Sequence, residues 1–192
     1  MRMRRWNIRN IAILIACSLI IYMICARGRH SYEIDGIIKN TKPEDVWNYV
    51  ADFSKMKLLN PTILDFKILS ESGHIHDWRY TVEYTEHLSH WPYWFNVGIG
   101  QYIVIKSMPD KQPQTYSIKS QHQTCFLKGL YCLRSESDFD FIAEAANTHC
   151  RESVRYECPL FFGGACKQEV VYQRKAIMYN LTNIFNSMKR KH

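Results

Sequence analysis

The sequence predicts an α+β protein: one curved antiparallel sheet of six to seven strands wrapped around a long C-terminal helix, preceded by an N-terminal transmembrane helix. Three observations predict it. The last thirty residues, from Phe161, keep a helical apolar period, with no Gly or Pro after Lys167. The preceding stretch, roughly a hundred residues, alternates with a period of two. The chain opens with a sixteen-residue run, Ile11 to Ala26, that carries no charge.

The N-terminal run reads IAILIACSLIIYMICA, with Arg2, Arg4, Arg5 and Arg9 before it and Arg27 and Arg29 after it. A spanning helix needs about 20 apolar residues, with a lower limit near 17. Asn10 and the flanking Arg9 and Arg27, whose stems can snorkel, bring the run to that limit. So short a span suits a thin bilayer such as the endoplasmic reticulum. The rival is a cleaved secretory signal, which would leave a secreted domain, but Ile24 stands where a small residue should precede a cut near Ala26. The excess of Arg before the run places the N-terminus in the cytosol and the domain in the lumen. The chain thus divides into residues 1–30, a basic segment and anchor, and residues 31–192, the domain.

Tyr32 to Lys39 reads as a first strand. In TKPEDVWNYVADFSKMKLLNP, Thr41 is placed as an N-cap, Pro43 suits the first turn, and Glu44 and Asp45 favour the positive end of the helix dipole. Val46, Trp47 and Val50 form its buried face. Asp52-Phe53-Ser54 breaks the helix, and Ser54 is placed as the cap of a second short one ending before Pro61.

The alternating stretch then supplies the sheet. Leu64, Phe66 and Ile68 form one row, followed by a turn at Ser72-Gly73. Trp78, Tyr80, Val82 and Tyr84 form the next, ended at His90-Trp91-Pro92. Val97, Ile99, Ile103 and Ile105 follow, with Gly98 and Gly100 between them as bending points. Pro109-Asp110-Lys111 is a turn, then come Tyr116, Ile118 and Ser120. Lys128-Gly129 centres a hairpin that sets Cys125 opposite Cys132, close enough to bridge. Phe139 and Phe141 lead to a turn at Ala146-Asn147, and Val154, Tyr156 and Cys158 end at Pro159. Turns this short pair strands in sequence order, and a long sheet of this kind curls.

The final helix puts Val170, Ile177, Leu181, Ile184 and Met188 in one row and Val171, Met178 and Phe185 in a second. Spacings of three, four and seven merge the rows into one broad face. Arg174, Lys175, Asn183, Asn186 and Lys189 are assigned to the other face. Such a helix cannot stand alone in water, so it must cover the curled sheet.

The charge of +7 is matched by four Arg in the first nine residues and the three cations of the closing Lys-Arg-Lys-His. The body is close to neutral, which excludes a nucleic-acid-binding face. Two of the seven cysteines, Cys17 and Cys25, sit in the anchor, and five lie in the domain, so at least one thiol stays free. No Cys-x-x-Cys pair occurs, and no metal or cofactor is expected. Asn180-Leu-Thr182 is a glycosylation sequon, relevant if the domain is luminal.

This order resembles the helix-grip superfamily, which includes START lipid-transfer domains, polyketide cyclases and coenzyme Q-binding proteins. Pro43, Val46, Trp47, Val50, Asp52 and Phe53 match the acidic-apolar helix that opens the pair of short helices in such proteins. The resemblance runs from about Tyr32 to Lys189 and implies a hydrophobic pocket between the sheet and the last helix. Its lining is read from the inward rows as Phe66, Trp78, Tyr80, Tyr84, Ile99, Tyr116, Phe139, Phe141, Tyr156 and Ile177. The five phenol or indole tips in that set call for a ligand or ordered water to satisfy them.

There is no G-x-S-x-G, H-E-x-x-H, P-loop or G-x-G-x-x-G. His74, His76, His87 and His90 lack further ligands at metal spacing. Glu83 and Asp138 belong to the outer face, which leaves His122 as the inward acid-base candidate. The first functional reading is therefore a monomeric, membrane-anchored binding or transfer module for a lipid, sterol or similar molecule. One alternative is a cyclase-type enzyme using His122 and Tyr80. The other is a scaffold with a filled core, distinguished by the absence of an internal void of a few hundred Å³.

Overall fold

Antiparallel pairing runs unbroken from one end of the alternating stretch to the other. The computed structural model describes residues 8–74, 76–107 and 114–189. The chain runs α1 (Ile8–Cys25), β1 (Arg27–Ile38), α2 (Pro43–Ala51), a 3-10 turn at Phe53–Lys55, α3 (Met56–Leu59) and β2 (Ile63–His74). It continues through β3 (Asp77–His87), β4 (Phe95–Lys106), β5 (Tyr116–Phe126), β6 (Tyr131–Glu144), β7 (Asn147–Pro159) and α4 (Gly163–Lys189). Further 3-10 turns lie at Leu127–Gly129 and Leu160–Phe162. The sheet has seven strands in the order β1-β7-β6-β5-β4-β3-β2. Strands β2 to β7 are a meander, β1 crosses over to pair with β7, and α4 returns over the inner face. This is the helix-grip arrangement.

Local chemistry explains the short helices. Lys42, not Thr41, precedes α2 and makes no side-chain cap; the Thr41 hydroxyl bonds back to Lys39 O at 2.9 Å instead. Proline at the first position and two acids in the first turn replace the missing cap. Ser54 does not cap α3. The Asp52 carboxylate accepts from Ser54 N at 2.9 Å and so caps the 3-10 turn. Ser72-Gly73 does not turn the chain: β2 runs on to His74, with Ser72 paired to Arg79 and Gly73 to Trp78. Gly73 takes φ +104°, and a Cβ there would meet the Asp77 carbonyl. The turn read at Pro109-Asp110-Lys111, the residues Arg2, Arg4 and Arg5, and the last three residues lie outside the described residues.

Of the six inward rows, those on β3, β5, β6 and β7 fall where the alternation puts them; on β2 Leu64 and Ile68 are exposed and Phe66 alone turns inward, and β4 is reversed. Ile99 is 42% exposed on the outer face, and Val97 is exposed beside it. The inner row is Asn96, Gly98, Gly100, Tyr102 and Val104. A one-residue slip in reading reverses every side chain of a strand. The β-branched outer row looked like core, while the true inner row is small where its neighbours are large. A Cβ on Gly98 would overlap the Tyr84 ring, and one on Gly100 would lie 2.8 Å from Tyr102 and 3.1 Å from His122. The glycines make room for those rings.

Tyr80 and Tyr102 stack at 4.8 Å between centroids, and Phe53 meets Tyr102 at 5.5 Å and Phe66 at 5.1 Å. The short helices thus seal one end of the grip with aromatics. Only the C-terminal half of α4 is buried, through Ile177, Met178, Leu181 and Phe185, while Met188 is exposed. Arg174 belongs to the inner face, contrary to its assignment among outward cations. It stands three residues before Ile177 and four after Val170, so it shares their stripe.

The expectation of a spanning helix needs correction: among the described residues, no helix is long and apolar enough to cross a membrane. The eighteen residues of α1 rise about 27 Å at 1.5 Å each, short of the roughly 30 Å hydrocarbon core. Its apolar positions Ile13, Leu14, Ile15, Leu19, Ile20 and Ile21 are all exposed.

Two disulfides close the domain. Cys125 pairs with Cys132 in register and bonds it, with Cα atoms 4.0 Å apart. The connection between β5 and β6 is the four residues Leu127–Leu130, not a two-residue turn, with Leu127 and Lys128 at positive φ. Cys158 bonds Cys166, tying the end of β7 to the first turn of α4. Cys150 is a free, fully buried thiol.

Candidate functional site

Alternation on β3 to β7 and the i, i+3 spacing on α4 aim one set of side chains at a common space. It is a cavity of about 90 Å³ between the sheet and α4. Tyr84, Tyr102, Ile118, Phe139 and Ile177 give it an apolar wall. Glu86, His122, Ser137, Glu152 and Arg174 give it a polar one. The volume is well under the 300–1,000 Å³ of ordinary ligand pockets and under the few hundred Å³ expected from sequence, the outcome that favours the scaffold alternative over a preformed pocket. The large rings that were to line a void occupy it instead. A groove of about 480 Å³ lies mainly on the outer sheet face, among Arg79, Gln101, Lys119, Gln121, Glu136 and Arg155. It is an open, charged surface with no helix over it.

The centre of the polar wall is an ion pair. Arg174 Nη1 lies 2.8 Å from Glu152 Oε1, which also accepts from Ser137 Oγ at 2.7 Å. Glu152 is 2% exposed. Its Oε2 and Arg174 Nε have no hydrogen-bond partner among the described residues, and neither do the amide atoms of buried Asn96. An acceptor and a donor left over within one buried ion pair are costly unless a further group completes them.

Tyr84 OH and His122 Nδ1 are 3.1 Å apart, and His122 Nε2 lies 2.9 Å from Ser120 Oγ. Burial, aided by the Arg174 charge, pushes His122 down to about 3. Burial and the neighbouring Glu169 carboxylate push Glu86 up to about 7, against the opposing pull of Arg174, the Thr124 hydroxyl and His87. Glu86 therefore holds its proton more tightly in the folded state than in the unfolded one. The stability this gives is complete below its ordinary 4.5 and disappears as pH rises to about 7. Replacing Glu86 with Gln removes the effect. The stability advantage of Glu86→Gln over wild type should grow by about 1–3 kcal/mol between acid and neutral pH. Urea midpoints of both proteins across that range check it, and His122 cancels because both proteins contain it.

Of the ten residues read as lining, Tyr84, Phe139 and Ile177 reach the cavity. Tyr80 OH donates to Ala51 O at 3.0 Å, and Tyr116 OH to Gln114 Oε1 at 2.6 Å, both in the sealed end. Trp78 Nε1 donates to Glu71 Oε1 at 2.9 Å, and Phe66 and Phe141 pack in the same core. Tyr156 sits in a second cluster with Val154 and Cys158 and stacks on His30 at 5.6 Å. Ile99 is outside. Four of the five phenol or indole tips thus have protein partners and need no ligand. Asn180 lies in mid-helix with its Nδ2 donated to Leu59 O at 2.9 Å. His74 and His76 lie at one end of β3, and His87 and His90 at the other.

The residues missed are Tyr102, Glu86, Glu152 and Arg174. Glu152 continues the inward row Val154, Tyr156, Cys158 by one step of two, and Arg174 continues the stripe of Ile177. Both signals were present, and their charge hid them.

No family model and no curated protein matches the chain. Several solved structures are similar in fold. TTHA0849 from Thermus thermophilus superposes with a TM-score of 0.59 at 11% identity, over 83% of this chain and 99% of that one. Ara h 8.0201 gives 0.53 at 14% identity, over 83% and 99%. The hypothetical protein jhp0584 from Helicobacter pylori gives 0.52 at 9% identity, over 96% of each chain. At such identities the likeness is one of fold.

Proposed function

We propose that this helix-grip domain binds a small, mainly apolar molecule bearing one hydroxyl or carbonyl group, and that α1 attaches it to a membrane. The observation that carries the reading is the buried Arg174–Glu152 pair at the apolar cavity, with one donor and one acceptor left over. A hydroxyl would accept from Arg174 Nε and donate to Glu152 Oε2, while its apolar body lay against Ile118, Phe139 and Ile177. A guest larger than the cavity needs the mouth to widen. We place that mouth one turn of α4 before cavity-lining Gln173, where the Glu169 carboxylate accepts from Ser89 N and Ser89 Oγ at 2.6 to 3.2 Å. That clasp joins the β3–β4 loop to the exposed half of α4, the less firmly held half.

Binding is favoured over catalysis because His122, held neutral down to about 3, is a weak base at neutral pH. Tyr80, the other residue of the cyclase reading, points away from the cavity. A helix as apolar on all sides as α1 is unstable in water, which supports membrane attachment. The two disulfides and the N-terminal Arg excess support a luminal domain, in the endoplasmic reticulum or another endomembrane compartment.

The test is solvent extraction and native mass spectrometry of the full chain, together with uptake of 2-naphthol, a fluorescent aromatic alcohol. Wild type should carry an extractable apolar molecule or take up naphthol. Ile177→Trp, which fills the cavity, should lose at least about tenfold in affinity, worth 1.4 kcal/mol or more. A folded wild-type protein that carries nothing and takes up nothing returns the domain to the scaffold reading.

A further inference from the structure

The antiparallel register brings several connections to one end of the sheet. Arg27 at the start of β1 pairs with Pro159 at the end of β7, Phe126 pairs with Tyr131, and His87 pairs with Phe95. The β3–β4 loop, the β5–β6 turn and the link from β7 to α4 therefore share one rim. Three strand spacings separate β4 from β7, about 14 Å along the sheet. All three connections end in exposed apolar side chains. The first presents Trp91, Tyr93 and Trp94, with Tyr93 93% exposed. The second presents Leu127 and Leu130, the latter 87% exposed. The third presents Phe161 and Phe162.

These three connections contain no acid: LSHWPYW, LKGL and LFFGG. Exposed cations, Arg29, Lys128 and Lys167, stand near them. The opposite end is different, with connections such as Lys39-Asn40-Thr41-Lys42 and Glu144-Ala145-Ala146-Asn147 that present no aromatic residue. The rim is also where α1 leaves the domain. Leu160 N donates to Ala26 O at 3.1 Å, which holds the turn carrying Phe161 against the end of that helix.

From this convergence we infer that the rim is a bilayer-docking surface, which holds the domain upright on the membrane that takes up α1. Trp and Tyr tips on an apolar base match the headgroup boundary, and the exposed Arg29, Lys128 and Lys167 match anionic lipid, the nearby Glu157 and Glu169 being bonded to Arg27 and Ser89. A stretch of apolar tips from three separate loops is larger than the scattered exposed residues of ordinary surfaces. Contiguity with α1 favours a membrane over a second protein chain, because α1 exposes apolar side chains on all sides and a bilayer can cover them together with the rim. The rim includes Trp91 and Trp94, in the same loop as Ser89, so docking places the clasped mouth of the cavity beside the lipid. The inference rests on membrane attachment by α1. It does not require that the cavity hold a ligand.

Full-length protein in vesicles of phosphatidylcholine and phosphatidylserine tests it, with a matched set whose acyl chains are brominated near the headgroup. The emission difference between wild type and Trp91→Phe/Trp94→Phe isolates those two rings from the other tryptophans. Bromine should remove more than half of the difference emission. Tyr93→Glu/Leu130→Glu, both at exposed positions, should leave the fold intact and restore most of it. Protein that floats with vesicles while Trp91 and Trp94 stay unquenched overturns the rim and leaves attachment by α1 standing. Protein that does not float overturns both. In neither case does the naphthol result change, so failure here is distinct from failure of the cavity.

Discussion

Arg174→Ala should destabilise the domain by about 3–5 kcal/mol, a large loss for a cation near the open half of a surface helix. The reason is the partner left behind. Glu152 is 2% exposed, and its charge is held by Arg174 at 2.8 Å and by Ser137 at 2.7 Å. Without the guanidinium, a buried carboxylate remains with only the Ser137 hydroxyl to bond it. Glu152→Leu/Arg174→Met should return to within about 1–2 kcal/mol of wild type, because apolar replacement of both charges removes the desolvation cost along with the attraction. Urea midpoints of the two singles and the double complete the cycle. Additive losses would mean that the two side chains are not coupled. The double variant should also fail to bind naphthol while remaining folded, which separates the pair's role in binding from its role in stability.

Leu181→Ala should cost about 2–5 kcal/mol, whereas Tyr172→Ala should cost no more than about 0.5 kcal/mol. Leu181 is fully buried, in the half of α4 that packs on α3 and β1, and Tyr172 is exposed in the half that lies over the mouth. Removing three heavy atoms at Leu181 leaves a hole that the surrounding short helices fill only in part. Hydrogen exchange along α4 gives a second view of the same asymmetry. Amides near Tyr172 should exchange by local opening, and those near Leu181 only with global unfolding. Equal losses, or equal protection, would remove the basis for treating the first half of the helix as the moving part.

Much of the fold was legible because element type is written in local periodicity. The period-two rows located the strands, the spacing of Ile177, Leu181 and Phe185 located the last helix, and Pro43 with Glu44 and Asp45 located α2. The candidate site was less legible. A strand's period says that alternate residues share a face, but it does not say which face is inside. On β4 the outer Val97 and Ile99 looked more like core than the inner Gly98 and Gly100. The choice becomes clear only when Tyr84 and His122, from the strands on either side, are seen to need the space above those glycines.

The sequence alone determined the kinds of element, their order, the meander that joins most of the strands, and the pairing of Cys125 opposite Cys132. Each follows from residues close together in the chain, where backbone geometry and turn length leave few choices. Tertiary structure alone decided that Arg174 meets Glu152, that Cys158 meets Cys166, that the aromatic rings fill the interior down to a small cavity, and that separate loops form one apolar rim. Those outcomes depend on which distant side chains compete for the same volume. The composition of a single segment does not record that competition.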